Sequence, residues 1–270
     1  MAETAGIEVL AGKALAAHDY DKTTHLTNEI PDGGFDVERA CDFAVGRVLG
    51  AKKLAQYREA GGLRNRAPSA IVHELHPGVH PKVLRHMTED FIAAKLEPLT
   101  KQIGTRLPDG NCWPRLSPGF ADYWHWLAGT PAVTSAIVSS GHKDFIAETF
   151  KIHDLELPEI FVTDDDMRPL MKFLPRYRCE KPAPLPIDHA VDQWLEQLEA
   201  FGADVDPFSL QDEAKRRTVF IGDSPVHDMK LAANAGVDFI LATQGHAGEV
   251  FAAMRSALMD KTMEPTEYGS

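Results

Sequence analysis

The sequence is poor in cysteine and contains no long apolar run, and both absences narrow the classes of function. Its three cysteines are odd in number and form no C-x-x-C pair, which argues against a disulfide framework and against a zinc or redox site. No stretch approaches the roughly 20 apolar residues that span a bilayer. The opening "MAETAGIEVLAGKAL" also lacks the basic start and apolar run of a secretory signal. We therefore expect a cytoplasmic protein with no membrane partner.

An excess of basic residues is also missing. The chain has 28 Lys and Arg against 40 Asp and Glu, which gives a net charge of −12. Such an acidic surface repels nucleic acid and anionic membranes, so we expect neither as a partner. An anionic substrate would need a local positive site, either a lysine or a metal ion.

The chain has two regions with different patterns of predicted secondary structure. Residues 28–112 read as helices with polar breaks, including "DVERACDFAVGRVLGAKKLAQYREA", for which Gly61-Gly62 is a plausible stop, and "HPKVLRHMTEDFIAAKLEPL". From residue 118 helical and strand patterns alternate, which favours a parallel sheet covered on both faces. We predict an α/β core made of residues 1–27 and 113–270, with a separate helical domain at 28–112.

Polar residues follow the predicted strands at the points where these strands end. In open α/β sheets ligands bind just beyond the carboxyl ends of the strands. Three apolar runs, "KALAAH", "SAIV" and "TVFIG", are followed by such residues, and a lysine lies before proline in "CEKPAP". The predicted edge gathers Asp19, Asp21, Ser139, Lys181, Asp223 and Asp228.

Asp19 and Asp21 are suited to phosphoryl transfer. They are two residues apart, so in an extended segment both side chains lie on the same side. One carboxylate can attack phosphorus and form an acyl phosphate, and the other can protonate the leaving alkoxide and then take a proton from water. A phosphoryl dianion approaches two carboxylates only with help from a hard cation such as Mg²⁺.

The order of these motifs resembles that of the haloacid dehalogenase superfamily of hydrolases. "DYDKT" stands as the first motif, "AIVSSG" as the second, "EKPAP" as the third and "GDSPVHDMKLAANAG" as the fourth. The resemblance covers residues 13–27 and about 113–250. It implies a three-layer, Rossmann-like α/β fold with a parallel sheet, and a helical cap domain inserted between the first and second motifs.

The resemblance also implies roles for the site residues. Asp19 is the expected nucleophile and Asp21 the expected general acid/base. The Asp19 carboxylate, the Asp21 backbone carbonyl and the Asp223 carboxylate are the expected Mg²⁺ ligands, with Asp228 as a further ligand or as support for Lys181. Ser139 and Lys181 match the positions that bind the transferring phosphoryl oxygens.

Further substrate contacts are expected beside these residues. Thr23, Ser140 and Gly141 adjoin the first two motifs, and the cap arginines Arg64 and Arg66, in "GGLRNRAPS", are candidates for binding a charged substrate group. The implied activity is a Mg²⁺-dependent phosphatase that acts on a small phosphorylated metabolite. The oligomeric state stays open.

Several alternatives stay open from the sequence. A dehalogenase needs no metal and normally lacks the second acidic residue, and a phosphonate-cleaving relative would use a cap lysine such as Lys52 or Lys53. Lys22, where the family usually has glycine, also allows an inactive relative that binds a phospho-ligand. A regulatory phospho-acceptor domain would be much shorter and would have no helical insert.

Each site residue also has a purely structural interpretation. Ser139 and Ser140 can cap the helix "HKDFIAETF", and Arg64, Arg66 and Lys181 can be solvated. The acidic run Asp164–Asp166 is expected to be a loop or helix cap. We expect the histidines that flank the motifs to be structural or solvent-facing; they are His18, His142 and His227.

Overall fold

The computed structural model describes residues 10–63, 68–171, 173–174, 178–200, 207–242 and 247–263. Two compact units make up this part of the chain. Residues 10–26 and 116–263 form an α/β unit, and Thr27–Arg115 form a helical unit. No helix within these ranges has the length and apolar character needed to cross a membrane.

The α/β unit is built on a parallel sheet of five strands, in the order β5-β4-β1-β6-β7. A short two-stranded sheet pairs β2 with β3. The strands are β1 (Ala14–His18), β2 (His25–Leu26), β3 (Arg115–Leu116), β4 (Val133–Val138), β5 (Ile160–Val162), β6 (Thr218–Gly222) and β7 (Asp238–Leu241).

Helices cover both faces of the sheet. Their bounds are α5 (Phe120–Ala128), α6 (Lys143–Ile152), α7 (Asp164–Leu170), α8 (Leu185–Ala200), α9 (Pro207–Arg216), α10 (Asp228–Ala235) and α11 (Ala247–Met263). Leu15 and Ala17 of β1 face the buried cluster that contains Trp194 of α8 and Leu231 of α10. On the opposite face, His18 contacts the aromatic rings of α5.

Strand β1 forms against the intrinsic preference of its sequence. Alanine is a poor strand former, yet all five residues of "ALAAH" are buried, and the strand pairs with β4 on one side and with β6 on the other. The small alanine side chains leave room for helices on both faces of the central strand. Burial in the middle of the sheet therefore decides the conformation of this segment.

The helical unit contains α1 (Val37–Ala44), α2 (Ala51–Glu59), α3 (Pro68–Leu75) and α4 (Pro81–Gln102). Buried residues of all four helices, including Ala44, Tyr57, Val72 and Phe91, form its own core. The expectation of one helix that runs to Gly61-Gly62 is wrong. A π-helical turn, Val45–Leu49, ends at Gly50 with φ 89° and ψ 166°, and this conformation interrupts the helix.

The predicted fold class is confirmed: the chain forms a Rossmann-like α/β parallel sheet with a helical insertion. Helix α9 was not anticipated from the sequence, since its segment is mostly polar and has few apolar residues. The interpretation of the helical unit as a cap stays a prediction.

Candidate active site

Asp19 lies at the carboxyl end of the central strand. His18, the last residue of β1, pairs with Ile137 of β4 and with Ile221 of β6. The Asp19 amide donates a hydrogen bond to the Ile221 carbonyl at 2.8 Å, which extends the pairing by one residue. The register therefore fixes the position of Asp19 between the ends of two neighbouring strands.

Lys181 joins two carboxylates at this edge of the sheet. Its Nζ donates to Asp19 Oδ1 at 2.6 Å and to Asp228 Oδ1 at 2.8 Å. The side chains of all three residues are at most 9% exposed. Nζ also lies 5.2 Å from the centre of the Phe220 ring. A buried ammonium with two carboxylate partners is a fixed charge in the site, and solvent screens it little.

Asp228 is held against strand β6 by a close approach that requires glycine. A Cβ added at Gly222 would lie 2.5 Å from the Cβ of Asp228 and 2.6 Å from its Oδ2. The same oxygen accepts a hydrogen bond from the Ser224 amide at 3.0 Å. The "GDS" sequence therefore provides both the space and the donor that place the second partner of Lys181.

Three carboxylates converge closely enough to hold a cation. One oxygen from each of Asp19, Asp223 and Asp228 lies within 4.8 Å of the other two, so these described residues form a group that could hold a metal ion. Hard oxygen donors of this kind suit Mg²⁺ better than a softer metal. The donor set therefore fits a magnesium ion.

The electrostatics of the site reflect crowding of negative charge. Burial, reinforced by the Asp228 carboxylate, raises the pKa of Asp19, while Lys181 opposes the shift. Burial and Asp228 likewise raise the pKa of Asp223. Burial works to lower the pKa of Lys181, but Asp19 and Asp228 outweigh it and raise that pKa, so the ammonium stays charged. A cation placed among the carboxylates would relieve their mutual repulsion.

Asp21, Lys22 and Thr23 form the turn after β1. Asp21 is half-buried, and its charge contributes to the raised pKa values of Asp19 and Asp223, so it lies near both. Thr23 is buried and its hydroxyl lies 3.5 Å from Asp19 Oδ2, in position to donate a weak hydrogen bond. Thr23 therefore contacts the expected nucleophile.

The second motif follows β4 on the other side of β1. Ser139 is buried, and its Oγ accepts a hydrogen bond from the Gly141 amide at 3.1 Å. Ser140 is exposed, and Gly141 is half-buried. The pairing of β1 with β4 brings this loop to the same sheet edge as Asp19, although within the described part of the chain Ser139 Oγ hydrogen-bonds to the Gly141 amide and not to Asp19.

One contact beside the second motif was missed by sequence reasoning. Asp165, in α7, shares a hydrogen bond with His142 Nδ1 at 3.2 Å and accepts one from the Lys143 amide at 3.0 Å. Burial works to raise the pKa of Asp165, but the bonds from His142 and Lys143 lower it to about 2. The predicted helix-capping acidic run thus also ties the loop after β5 to the loop after β4.

His18 is a buried core residue with a structural role. Its ring lies 2.8 Å from the Ala136 carbonyl and 2.8 Å from the Tyr123 hydroxyl, so both nitrogens are occupied inside the core. Burial lowers its pKa to about 4. Arg64 and Arg66, predicted to contact substrate, lie outside the described residues.

A known protein family matches the part of the chain that contains several residues of this site. Residues 178–265 match the model of the family described as HAD-hydrolase-like, and this range contains Lys181, Asp223 and Asp228. The matched part of the chain is therefore similar to HAD-like hydrolases. It contains the third and fourth motifs of the resemblance read from the sequence, and the resemblance is confirmed over this range. No curated protein matches the chain.

Solved structures of HAD-like hydrolases are also similar to this one. A subfamily IA hydrolase from Geobacter sulfurreducens is 15% identical over 90% of this chain and 97% of its own, with TM-score 0.45. CbbY from Rhodobacter sphaeroides, in complex with phosphate, is 16% identical over 85% and 86%, with TM-score 0.48. A HAD phosphatase from Thermococcus onnurineus is 17% identical over 86% of each chain, with TM-score 0.46.

Proposed function

We propose that this chain is a HAD-like, Mg²⁺-dependent phosphatase of a small phosphorylated metabolite, with Asp19 as nucleophile and Asp21 as general acid/base. The observation that carries the proposal is the contact of Lys181 Nζ with Asp19 Oδ1 at 2.6 Å, beside three converging carboxylates. An ammonium in this position orients the attacking carboxylate and balances its charge.

The first half of the reaction is a transfer of the phosphoryl group to the enzyme. A carboxylate oxygen of Asp19 attacks phosphorus, so that a bond from this oxygen to phosphorus forms and the ester P–O bond breaks. The Asp21 carboxyl gives its proton to the leaving alkoxide. Lys181 and Thr23 hold the Asp19 carboxylate during the attack, one at each oxygen.

The second half is hydrolysis of the aspartyl phosphate. The Asp21 carboxylate takes a proton from a water molecule, whose oxygen attacks phosphorus while the bond to Asp19 breaks. Inorganic phosphate leaves, and Asp19 and Asp21 return to their starting states. Ser139 and Lys181 are proposed to donate hydrogen bonds to the phosphoryl oxygens.

Mg²⁺ is the proposed cofactor, with the Asp19 carboxylate, the Asp21 backbone carbonyl and the Asp223 carboxylate as ligands and Asp228 as ligand or support. When bound, it would neutralise charge on the phosphoryl oxygens. We further propose that the helical unit, including Arg64 and Arg66, selects the substrate, with Ser140 and Gly141 adjoining the phosphoryl group. A cytoplasmic setting stays a prediction.

The test is release of phosphate from 4-nitrophenyl phosphate. We expect turnover with Mg²⁺, loss of turnover when EDTA removes the ion, and no turnover in Asp19→Asn, because an amide is not a nucleophile here. Asp212→Asn, an exposed carboxylate of α9, is the matched control and should keep wild-type activity. Full magnesium-dependent turnover by a folded Asp19→Asn variant would contradict the mechanism.

A further inference from the structure

Lys22 adopts a backbone conformation that a residue with a side chain rarely takes. Its φ is 59°, and among the described residues only Asp154 is another non-glycine residue with positive φ. In this left-handed region Cβ crowds the following carbonyl, whereas glycine enters it freely. A lysine is therefore sterically disfavoured at a position that glycine would fill without strain.

The turn itself does not need the lysine side chain. The Lys22 amide donates to the His25 carbonyl at 2.8 Å, and the amides of Thr24 and His25 both donate to the Tyr20 carbonyl at 3.2 Å. The Tyr20 ring stacks on the His25 ring with 4.6 Å between centres. These contacts use backbone atoms and neighbouring rings, so they fix the left-handed conformation whichever residue stands at position 22.

The Lys22 side chain is exposed and lies beside the acidic site. It makes no hydrogen bond or ion pair with another described residue, in contrast to Lys181, whose charge is matched by two carboxylates. Lys22 nevertheless stands in the turn between Asp21 and Thr23, and the Thr23 hydroxyl lies 3.5 Å from Asp19 Oδ2. The ammonium is therefore a positive charge near the site with no direct partner in the described chain.

We propose that Lys22 binds a second anionic group of the substrate, so that the preferred ester is a phosphate monoester that carries a further carboxylate or phosphate. This inference rests on the proposed phosphatase function. The chain has a net charge of −12, so a substrate with two anionic groups needs a local positive charge for each of them. An exposed ammonium on a fixed turn can meet the group that is not transferred.

The test compares matched anions as competitive inhibitors of 4-nitrophenyl phosphate hydrolysis. The first pair is 2-phosphoglycolate and ethyl phosphate, and the second is the bisphosphate and the monophosphate of 1,3-propanediol. We expect the wild type to bind the doubly anionic member of at least one pair about tenfold more tightly, the effect of one charged contact. In Lys22→Ala and Lys22→Gly this ratio should fall to about one, and Lys22→Arg should restore most of it.

Lys230→Ala is the matched control, because it removes an exposed lysine of α10 and the same unit of charge. It should keep the wild-type ratio. Lys22→Gly also relieves the strain, so a poorly folded Lys22→Ala would not spoil the test. A ratio near one for both pairs in the wild type, or an unchanged ratio in Lys22→Gly, overturns the inference. A wild type that leaves 4-nitrophenyl phosphate intact would instead contradict the proposed phosphatase function.

Discussion

At the scale of single residues, Lys181 has two electrostatic effects that act in opposite directions. Its ammonium pairs with both Asp19 and Asp228 and offsets part of their negative charge, which lowers the cost of burying the two carboxylates. The same positive charge repels any cation that binds the neighbouring oxygens. Catalytic strength and metal affinity should therefore respond differently to its removal.

We predict that Lys181→Gln lowers kcat by about 10²- to 10³-fold, the usual effect of removing a group that stabilises the transition state. It should also enlarge the rise in Tm that Mg²⁺ produces, because the carboxylates lose the competing positive charge. Steady-state kinetics and thermal unfolding with and without Mg²⁺ measure the two effects. Lys230→Gln is the control for charge. A Lys181→Gln enzyme within threefold of wild-type kcat would exclude Lys181 from the chemistry.

The sequence predicted which residues meet at the sheet edge better than their contacts. Asp19 and Asp223 follow predicted parallel strands, whose carboxyl ends share one edge, whereas Lys181 was selected for its place in the motif order. Asp165 was not selected for its contact with His142, since only the packing of the loops after β4 and β5 brings these two side chains together. Lys22 was noticed as an unusual residue, but its φ of 59° is a tertiary property.

At the scale of elements, Gly50 is the residue that separates two helices of the helical unit. Its φ of 89° and ψ of 166° belong to a region that residues other than glycine scarcely enter. It connects the π-helical turn to α2. The helical periodicity on both sides of it indicated one continuous helix, and the glycine in the middle was the sequence signal for the break.

We predict that Gly50→Ala lowers the free energy of unfolding by about 2 kcal/mol, within the range of about 1–3 kcal/mol for such backbone strain. Apart from its chain neighbours, no heavy atom of a described residue lies within 4 Å of the added Cβ, so the loss would come from the backbone. Gly248→Ala, also free of close contacts but without positive φ, is the control and should change stability by less than about 1 kcal/mol. Urea unfolding measures both. Equal effects of the two substitutions would contradict this explanation.

The junction of α9, β6 and α11 depends on a buried ion pair. Arg217 is 2% exposed, and its guanidinium donates to Glu213 Oε1 at 2.7 Å and to the Lys261 carbonyl at 3.0 Å. Burial works to raise the pKa of Glu213, but the hydrogen bonds from Arg216 and Arg217 outweigh it and lower that pKa. Removing the carboxylate would leave Arg217 buried without a matching charge.

We predict that Glu213→Gln costs about 3 kcal/mol of unfolding free energy at pH 7. The pKa of Glu213 is lower in the folded state than its ordinary value of 4.5, so its stabilising effect is present above about pH 4.5 and is lost as the pH falls further. The difference between wild type and Glu213→Gln should shrink below that pH. Urea unfolding from pH 7 to 3.5 measures it, with Asp212→Asn as the control. A difference that grows on acidification would refute the assignment.

Strand β1 shows why secondary structure cannot always be predicted from the composition of a short segment. The polar residues after "ALAAH" indicated where the strand ends, whereas its alanine-rich composition argued weakly for a strand at all. Pairing on both sides with β4 and β6 overrides that composition. Helix α9 was missed because its sequence is mostly polar. Only a few apolar residues, such as Leu210 and Ala214, pack it against the core.

At the scale of the whole molecule, a ligand of the folded state raises the stability of the folded chain. We predict that Mg²⁺ at ten times its dissociation constant adds about 1.4 kcal/mol, or roughly 3 °C in Tm, by linkage. Asp223→Asn should lose this shift, because one of the three converging carboxylates is gone. Asp212→Asn should keep it. A full shift in Asp223→Asn would show that the ion binds elsewhere.

The order of strands in the sheet also affects when the site can form during synthesis of the chain. Strand β1, which precedes the proposed nucleophile Asp19, is synthesised early, yet it pairs with the strand that starts at Val133 on one side and with the strand that starts at Thr218 on the other. At about 5–20 residues per second, roughly 10–40 s pass on the ribosome before the last partner strand emerges. Such distant pairings also close slowly. Throughout that interval Asp19 lacks Asp223 and Asp228, which follow β6 in the chain. The proposed nucleophile is therefore synthesised well before the group of carboxylates around it is complete.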